Sequence, residues 1–392
     1  MTAIANLVLL MLALPAAAAS LYLLLFTLLS SAPPAALRSS RRLRFDVVVP
    51  AHDEAAAIQG VVASLRKLDW PADGFRVLVV ADNCTDSTAA LAREAGAEVL
   101  ERNDTTRRGK GYALDFAFHL SHVHGWADAV VVVDADTEVS ANLLEAFAGR
   151  IDEGAKAVQA HYGVLNPQAS WRTRLMAIAM ASFHRVRSRA RERLQLSCGI
   201  RGNGWCVTHR LLHLVPYRAF SLTEDIEYGI ELGLAGHRVH YADEAQVAGV
   251  MVSGEAAART QRQRWEGGRL RLIRTKILPL LRAAKEPGAG VCLDLALDLL
   301  VPPLSYVAMN IAALIVLAGI ALLWEPSAEM GLSLGLLCGL SLLLYVLRGW
   351  QLSGVGMRGL IDLARAPFFV LWKVLLMLRA HAPAAWVRTK RE

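Results

Sequence analysis

ADAVVVVDAD, residues Ala127–Asp136, decides the fold. Its core is a run of valines with no polar interruption. Such a run reads as a strand buried on both faces, the kind found in parallel sheets covered by helices. Two carboxylates, Asp134 and Asp136, follow at its carboxyl end. Upstream, FDVVVP (Phe45–Pro50), FRVLVVA (Phe75–Ala81) and AEVLE (Ala97–Glu101) read as further strands. Helical spacing fills the gaps between them. Ile58, Val61, Val62, Leu65 and Leu68 mark a helix over Glu54–Leu68, and Asp86–Ala95 and Gly109–His124 give two more. Strands alternating with helices in this way predict right-handed crossovers and a mainly parallel α/β sheet. Such sheets bind ligands beyond the carboxyl ends of their strands. Polar clusters fall there: His52, Asp53 and Glu54; Asp82, Asn83 and Asp86; Asp134 and Asp136. Turn chemistry alone supplies Asp and Asn at strand ends, but three acidic ends in one sheet point to a site.

The rest of the chain is unusually apolar. Of 392 residues 54% are hydrophobic, and mean hydropathy is +0.35. No charged side chain occurs in 1–37, 299–324 or 330–347. A spanning helix needs about 20 apolar residues, so these segments predict three membrane helices. The expected organisation is an N-terminal anchor (1–37), a globular domain (38–285) and a C-terminal membrane region (286–392). That last region would hold spans at 295–324 and 330–347 and an interfacial helix at 357–380, interrupted by Pro367, Lys373 and Arg379. The anchor reads as uncleaved, since no Lys or Arg precedes its apolar run, which resumes through Leu29. Arg38, Arg41, Arg42 and Arg44 follow it. By the positive-inside rule they place the globular domain in the cytosol, on an inner membrane crossed several times.

The net charge of +7 gathers beside membrane segments and comes with no RNA- or DNA-binding motif. Anionic lipid, rather than nucleic acid, is the expected partner. Five cysteines without a C-x-x-C pair suit a reducing compartment. HLSHVH (His119–His124) lacks partners at ligand spacing, so no zinc site is expected. Trp171–Leu194 predicts a helix with a strongly basic second half, HRVRSRARER. That half either lies on the membrane with Met176, Met180 and Phe183 inward or forms a solvated face.

Four segments can carry chemistry. Asp134 and Asp136 can hold a hard divalent cation through oxygen, or they can be two turn aspartates. In LTEDIEY (Leu222–Tyr228), Glu224, Asp225 and Glu227 crowd a helix start. The helix dipole favours carboxylates there, and one facing an acceptor hydroxyl can act as general base. In QRQRWEGGR (Gln261–Arg269), Arg264 offers a planar fork for phosphate and Trp265 a flat face for a sugar ring. In RRGKGYALDFA (Arg107–Ala117), Lys110 sits between glycines at a helix start, a setting for an anion. Each is ambiguous by itself.

In order, VVVPAHDE, VVADNCTDST, RRGKGYALDFA, VVDAD, GNGWCVTHR, TED and QRQRW resemble the motifs of family 2 glycosyltransferases over roughly Phe45–Arg269. Within that family the resemblance is to the cellulose-synthase-like branch, which includes chitin, hyaluronan and poly-N-acetylglucosamine synthases. It implies a GT-A fold, a UDP-sugar donor, Mg²⁺ or Mn²⁺, and inversion at the anomeric carbon. Carried over by position, Asp53, Glu54 and Asp82 contact the nucleotide, and Lys110 sits near the base or diphosphate. Asp134 lies by the ribose and diphosphate, and Asp136, with Asp134 beside it, holds the metal. Asp225 is the general base. Gln261 and Arg264 bind the diphosphate, and Gly202, Asn203, Gly204, Glu224 and Trp265 form the acceptor site.

Ala81 stands where many members have the first Asp of an Asp pair, and no FFVT-like gating loop follows Trp265. The expected activity is therefore sugar transfer to a lipid-linked or saccharide acceptor in exopolysaccharide or glycolipid assembly. The alternatives are a processive β-linked polysaccharide synthase, working as an oligomer or with an export partner, and an inactive nucleotide-binding scaffold. Asp134, Asp136, Asp225 and Arg264 together speak against the scaffold.

Overall fold

The computed structural model describes residues 2–251, 255–286 and 290–365; for 2–5 and 255–265 it describes the helical backbone alone. A long apolar helix, α1 (Thr2–Leu28), leads into β1 (Phe45–Ala51), α2 (Ile58–Leu65), β2 (Phe75–Asp82), α3 (Thr88–Glu94), β3 (Glu98–Arg102), α4 (Lys110–His124) and β4 (Ala129–Val132). The valine runs thus become strands with helices between them. β3, β2, β1 and β4 lie side by side and pair in parallel. The sheet then changes character. β5 (Thr137–Val139), α5 (Leu143–Asp152), β6 (Ala157–Val164), α6 (Trp171–Met180), a π-helical turn (Ala181–Val186), α7 (Arg187–Arg193), β7 (Trp205–Thr208), α8 (His209–Leu214), α9 (Glu224–Leu234) and β8 (His240–Gly249) complete the domain.

The order across the eight strands is β3-β2-β1-β4-β7-β6-β8-β5. β7 runs antiparallel to both β4 and β6, and β5 antiparallel to β8. The result is a mixed sheet with mostly parallel strands, as the valine runs required. Alternate residues of each strand serve opposite faces. Val47, Val49, Val79 and Val131 pack with α2 and α5 on one face; Val48, Val80, Val130 and Val132 pack with α4 and α9 on the other.

Two elements are shorter than the sequence pattern predicts. α2 begins only at Ile58, because Asp53 takes a left-handed backbone (φ 53°). The amides of Glu54 and Ala55 are then held across the gap by Thr88 Oγ1 (2.8 Å) and the Asp86 carboxylate (3.1 Å). β4 stops at Val132, so Asp134 and Asp136 lie in the turn that leads to β5.

α10 (Glu255–Ala283), α11 (Gly290–Leu300), α12 (Leu304–Ala321), α13 (Ala328–Ser353) and α14 (Gly356–Leu363) follow. Among the described residues three helices are long and apolar enough to cross a membrane: Asn6–Leu28, Leu304–Ala321 and Ala328–Ser353. The second starts at Leu304 because Pro302 and Pro303 cannot continue a helix from α11. The Arg269 guanidinium donates to the freed carbonyls of Asp298, Leu299 and Val301. Of the expected interfacial helix only α14 is described; 366–392 lie outside the described residues.

The basic half of Trp171–Leu194 turns largely inward instead, with Arg193 exposed at its end. Arg187, Arg189 and Arg191 are buried, Arg191 with 0% exposure. Their partners come from far along the chain. Arg187 and Arg191 reach Asp298 (3.0 and 2.8 Å), Arg191 also reaches Asp294 (2.7 Å), and Arg189 reaches Asp243 (2.6 Å). Tyr22 of α1 donates to Asp294 (3.1 Å) and accepts from Arg191. Tyr345 of α13 accepts from Arg187 (2.9 Å). Charged groups leave water only if paired and hydrogen-bonded, so α7 is buried because α1, α11 and α13 bring those partners. The same ends of α1 and α13 are joined by Arg348 and Ser30 (2.8 Å). The candidate spans therefore meet the α/β domain on one side.

Asp298→Ala leaves three arginines facing one another without their shared carboxylate. Removing one partner of a buried ion pair costs about 3–5 kcal/mol, and a loss of that size is expected in denaturation of the detergent-solubilised protein. Asp69→Ala, which breaks the exposed pair with Arg41, should leave the transition unmoved.

Candidate active site

The site is built around the first turn of α4. Gly109 enters it at φ 123°. A Cβ on Gly111 would lie 2.3 Å from the Ala219 carbonyl oxygen, so only glycine lets the segment before α9 cross α4 this closely. Tyr112 and Phe220 stack at 4.5 Å beside that crossing. The crossing sets the start of α9 over Lys110. Lys110 Nζ donates to Asp134 Oδ1 (2.6 Å) and the Gly202 carbonyl (2.7 Å), and lies 3.6 Å from Glu224 Oε1. One ammonium thus joins the end of β4, the glycine loop before β7 and the N-terminus of α9.

The glycine loop is fixed by its own chemistry. Asn203 is fully buried; its Oδ1 accepts from the Asp134 amide (3.0 Å) and its Nδ2 donates to Thr137 (2.7 Å). Gly202 (φ 82°) and Gly204 (φ 70°) flank it. A Cβ on Gly202 would sit 3.6 Å from Asp225 Oδ2 and 3.9 Å from the Tyr162 ring. The half-buried Asp225 therefore faces this loop. Arg201, next in the chain, pairs with Asp298 (3.1 Å), which ties the loop to the buried arginine cluster.

Burial raises Glu224 above the usual carboxylate range; Lys110 opposes the shift and Asp225 adds to it. Burial also raises Asp225, again against Lys110. For Lys110 burial alone would lower the pKa, but the carboxylates of Asp134 and Glu224 outweigh it and keep the ammonium charged.

Asp53, Glu54 and Asp82 lie at the adjacent ends of β1 and β2. Asp53 accepts from the Thr85 amide (2.6 Å), which holds its carboxyl below the usual range. Asp82 is buried and paired with Arg102 (2.6 Å). Sequence reasoning missed Arg102. Its signal was its place at the end of the neighbouring strand, in register with Asp82. Tyr162 was missed too, because β6 was not anticipated.

Two groups of side chains can be weighed as metal ligands. Ligand atoms of Asp53, Cys84 and Asp86 lie within 4.8 Å of one another. Yet Asp86 accepts from the Thr88 and Ala55 amides (2.9 and 3.1 Å), and burial pushes the Cys84 thiol up, so it stays protonated. Asp134 and Asp136, both half-buried in the turn after β4, offer oxygen alone and fit a hard cation such as Mg²⁺ or Mn²⁺ better. Asp134 is already shared with Lys110.

α10 runs against the start of α9: a Cβ on Gly268 would lie 2.4 Å from Thr223 Cγ2. Gln261, Arg264 and Trp265 lie upstream on this helix, and their side chains fall outside the described residues.

The fold is thus a mixed α/β sheet with acidic clusters at its strand ends and a lysine-bridged acidic helix start beside them. Residues 43–268 match the family described as "Glycosyltransferase like family 2", more than half of the chain. The chain belongs to glycosyltransferase family 2. It is 29% identical over 238 residues to the β-monoglucosyldiacylglycerol synthase of Synechocystis sp., covering 58% of this chain and 48% of that protein. It is 25% identical over 207 residues to the probable glycosyltransferase YdaM of Bacillus subtilis, covering 50% and 48%. The chain thus spans about half the length of these curated relatives. Among solved structures, the mannosyltransferase PcManGT from Pyrobaculum calidifontis, in complex with GDP-Man and Mn²⁺, superposes with a TM-score of 0.54 at 18% identity, covering 88% of this chain and 99% of that one. The likeness establishes the GT-A fold.

Gly204→Ala would drive a Cβ to 2.4 Å from the buried Val247 side chain. Overpacking of this kind costs about 1–3 kcal/mol, beyond the left-handed strain of about 1–2 kcal/mol. Gly236→Ala (φ 78°, nothing within 4 Å) carries only the strain. Denaturation midpoints should rank them in that order.

Proposed function

We propose that this chain is a membrane-bound, inverting glycosyltransferase that moves a sugar from a nucleotide donor, a UDP-sugar, to a lipid-linked or saccharide acceptor in glycolipid or exopolysaccharide assembly. The observation that carries the reading is Lys110, which draws Asp134, Gly202 and Glu224 together with Asp225 alongside. Residues 38–285 form the catalytic domain, and 1–37 and 286–392 its membrane regions. The arginines after α1 support a cytosolic position for the domain at an inner membrane, by the positive-inside rule.

Asp53, Glu54 and Asp82 line the nucleotide end. Lys110, Asp134, Gln261 and Arg264 serve the diphosphate, and Gly202, Asn203, Gly204, Glu224 and Trp265 the acceptor. Mg²⁺ or Mn²⁺ on Asp136, with Asp134 beside it, would supply charge neutralisation at the diphosphate. The carboxylate of Asp225 takes the proton of the acceptor hydroxyl. That oxygen bonds to the anomeric carbon while the bond to the diphosphate breaks from the opposite face, and the nucleoside diphosphate leaves with the electron pair. The raised pKa of Asp225 makes it a better base than an exposed aspartate.

Nucleotide release by the detergent-purified chain, across a panel of UDP-sugars and GDP-Man with and without Mn²⁺ or Mg²⁺ and with membrane extract added, tests the reading. One donor is expected to turn over in a metal-dependent way. Asp225→Asn should lose about 10²–10⁴-fold in rate while still binding donor. No release with any donor would refute the assignment, and long polymer in the product would replace it with the processive alternative.

Asp225 must be deprotonated to act. Since burial raises its pKa, activity should begin to fall with decreasing pH above the ordinary aspartate value of about 3.9. A pH–rate profile flat down to that value would count against Asp225 as the base.

A further inference from the structure

A cationic cluster sits where two candidate spans end. Along α13 the exposed side chains Leu336, Leu337, Leu340, Leu343 and Leu344 are aliphatic, and Arg348, Trp350 and Gln351 follow them. On α1 the exposed leucines end at Leu25 and Leu28, just before Ser30. A membrane helix changes character in this way where hydrocarbon gives way to headgroups, the level that tryptophan favours.

Three guanidinium groups meet there. Arg348 donates to Ser30 Oγ (2.8 Å) and to the Ser30 carbonyl (3.0 Å). Arg189 donates to the same carbonyl (3.5 Å) and, through two nitrogens, to the Asp243 carboxylate (2.9 and 2.6 Å). Arg185 donates to Asp243 Oδ1 as well (3.1 Å) and to the Leu352 carbonyl near the end of α13 (3.2 Å). Shared acceptor atoms thus link the three cations into one group.

Their charge is not balanced from within. Among the described residues Asp243 is the one carboxylate paired with any of the three. The ends of α1 and α13 add about −0.5 each, which leaves an excess of about one positive charge. Capping of helix ends accounts for the hydrogen bonds but not for this excess. Arg189 is buried and Arg348 half-buried, while the Arg185 side chain keeps 27% exposure. Cations drawn this far out of water are costly without a counter-ion, and two of the three remain reachable from outside. A phosphodiester brings one negative charge and oxygens that suit the guanidinium fork. Basic pockets between membrane helices take anionic headgroups on these grounds.

We propose that Arg185, Arg189 and Arg348 hold the phosphodiester of an anionic bilayer phospholipid at the domain-side ends of α1 and α13. The lipid is a ligand of this junction and not the sugar acceptor. The inference rests on the membrane-bound part of the transferase reading and is independent of sugar transfer itself.

The test is native mass spectrometry of the full chain, purified in detergent and titrated with phosphatidylglycerol or phosphatidylcholine of the same acyl chains. One phosphatidylglycerol should be retained at concentrations where phosphatidylcholine is not. Arg185→Gln and Arg348→Gln should each weaken retention about five-fold, the loss expected for one cation near a headgroup. Arg185→Lys should keep most of it, which separates lost charge from lost packing. Arg93→Ala removes an exposed cation from α3, whose neighbours are α2, β2 and β3, and should change nothing.

Equal retention of the two lipids, or retention unchanged in both glutamine variants, would overturn the proposal. Glycerol phosphate at the same concentration should not displace the lipid; displacement would make the ligand a free phosphate and overturn the lipid assignment. Thermal unfolding without added lipid shows which variants are folded. If Arg348→Gln is not, Arg185→Gln and Arg185→Lys decide. Carbonate extraction of native membranes keeps the two readings apart. A chain released by carbonate would refute membrane attachment and this site together. A chain that stays in the membrane yet shows no preference for phosphatidylglycerol would refute this site alone.

Discussion

The ammonium of Lys110 is where three segments remote in the chain meet. Asp134 ends the central parallel strand, Gly202 belongs to the loop before an antiparallel one, and Glu224 opens a helix that follows. Without a cation, three carboxylates gathered on so small a volume would repel one another in a medium that screens poorly. With it, Asp134 and Glu224 are held close, while burial, working against the ammonium, keeps the Asp225 pKa raised and suited to accepting a proton. Gly111 serves this meeting by letting the Ala219 backbone approach where a Cβ would lie 2.3 Å away, and Gly109, Gly202 and Gly204 by adopting positive φ (123°, 82° and 70°). The sheet supplies the platform, and the charge balance at its edge sets what the site can do.

A second set of ion pairs makes the candidate spans part of that same arrangement. Arg201 sits next to Gly202 and reaches Asp298, which also receives Arg187 and Arg191. Those arginines in turn hold Tyr345 of α13 and Tyr22 of α1. The glycine loop is therefore braced from behind by the candidate membrane spans. Buried ion pairs contribute little net stability against an apolar core of the same shape, but removing one partner is costly. Their effect here is to fix one geometry between the sheet and the candidate spans.

How much of this was legible beforehand follows from the range of each interaction. The valine runs, with acidic residues directly after them, gave away the parallel half of the sheet and its strand ends, because both signals are local. Lys110, Asp134 and the Thr223–Asp225 turn were legible as ordered motifs, though not as neighbours. The start of α2 was misjudged by four residues because it depends on a left-handed Asp53 and on Thr88 and Asp86, some thirty positions away. The burial of α7 was missed for the same reason: its partners stand about 50 to 160 positions away. A clue was present in GVCLDLALDLL, where Asp294 and Asp298, one helical turn apart, interrupt an apolar helix. Carboxylates in such a setting call for buried cations, and HRVRSRARER was the basic segment at hand.

Placing Asp225 opposite the leaving diphosphate makes the account a single displacement, so its central claim is stereochemical. The direct measurement is the anomeric configuration of the first product formed from an α-linked UDP-sugar, read by proton NMR before any mutarotation. The account predicts a β-linked product. An α-linked product would contradict it, because retention needs either a covalent intermediate or attack from the face the diphosphate leaves.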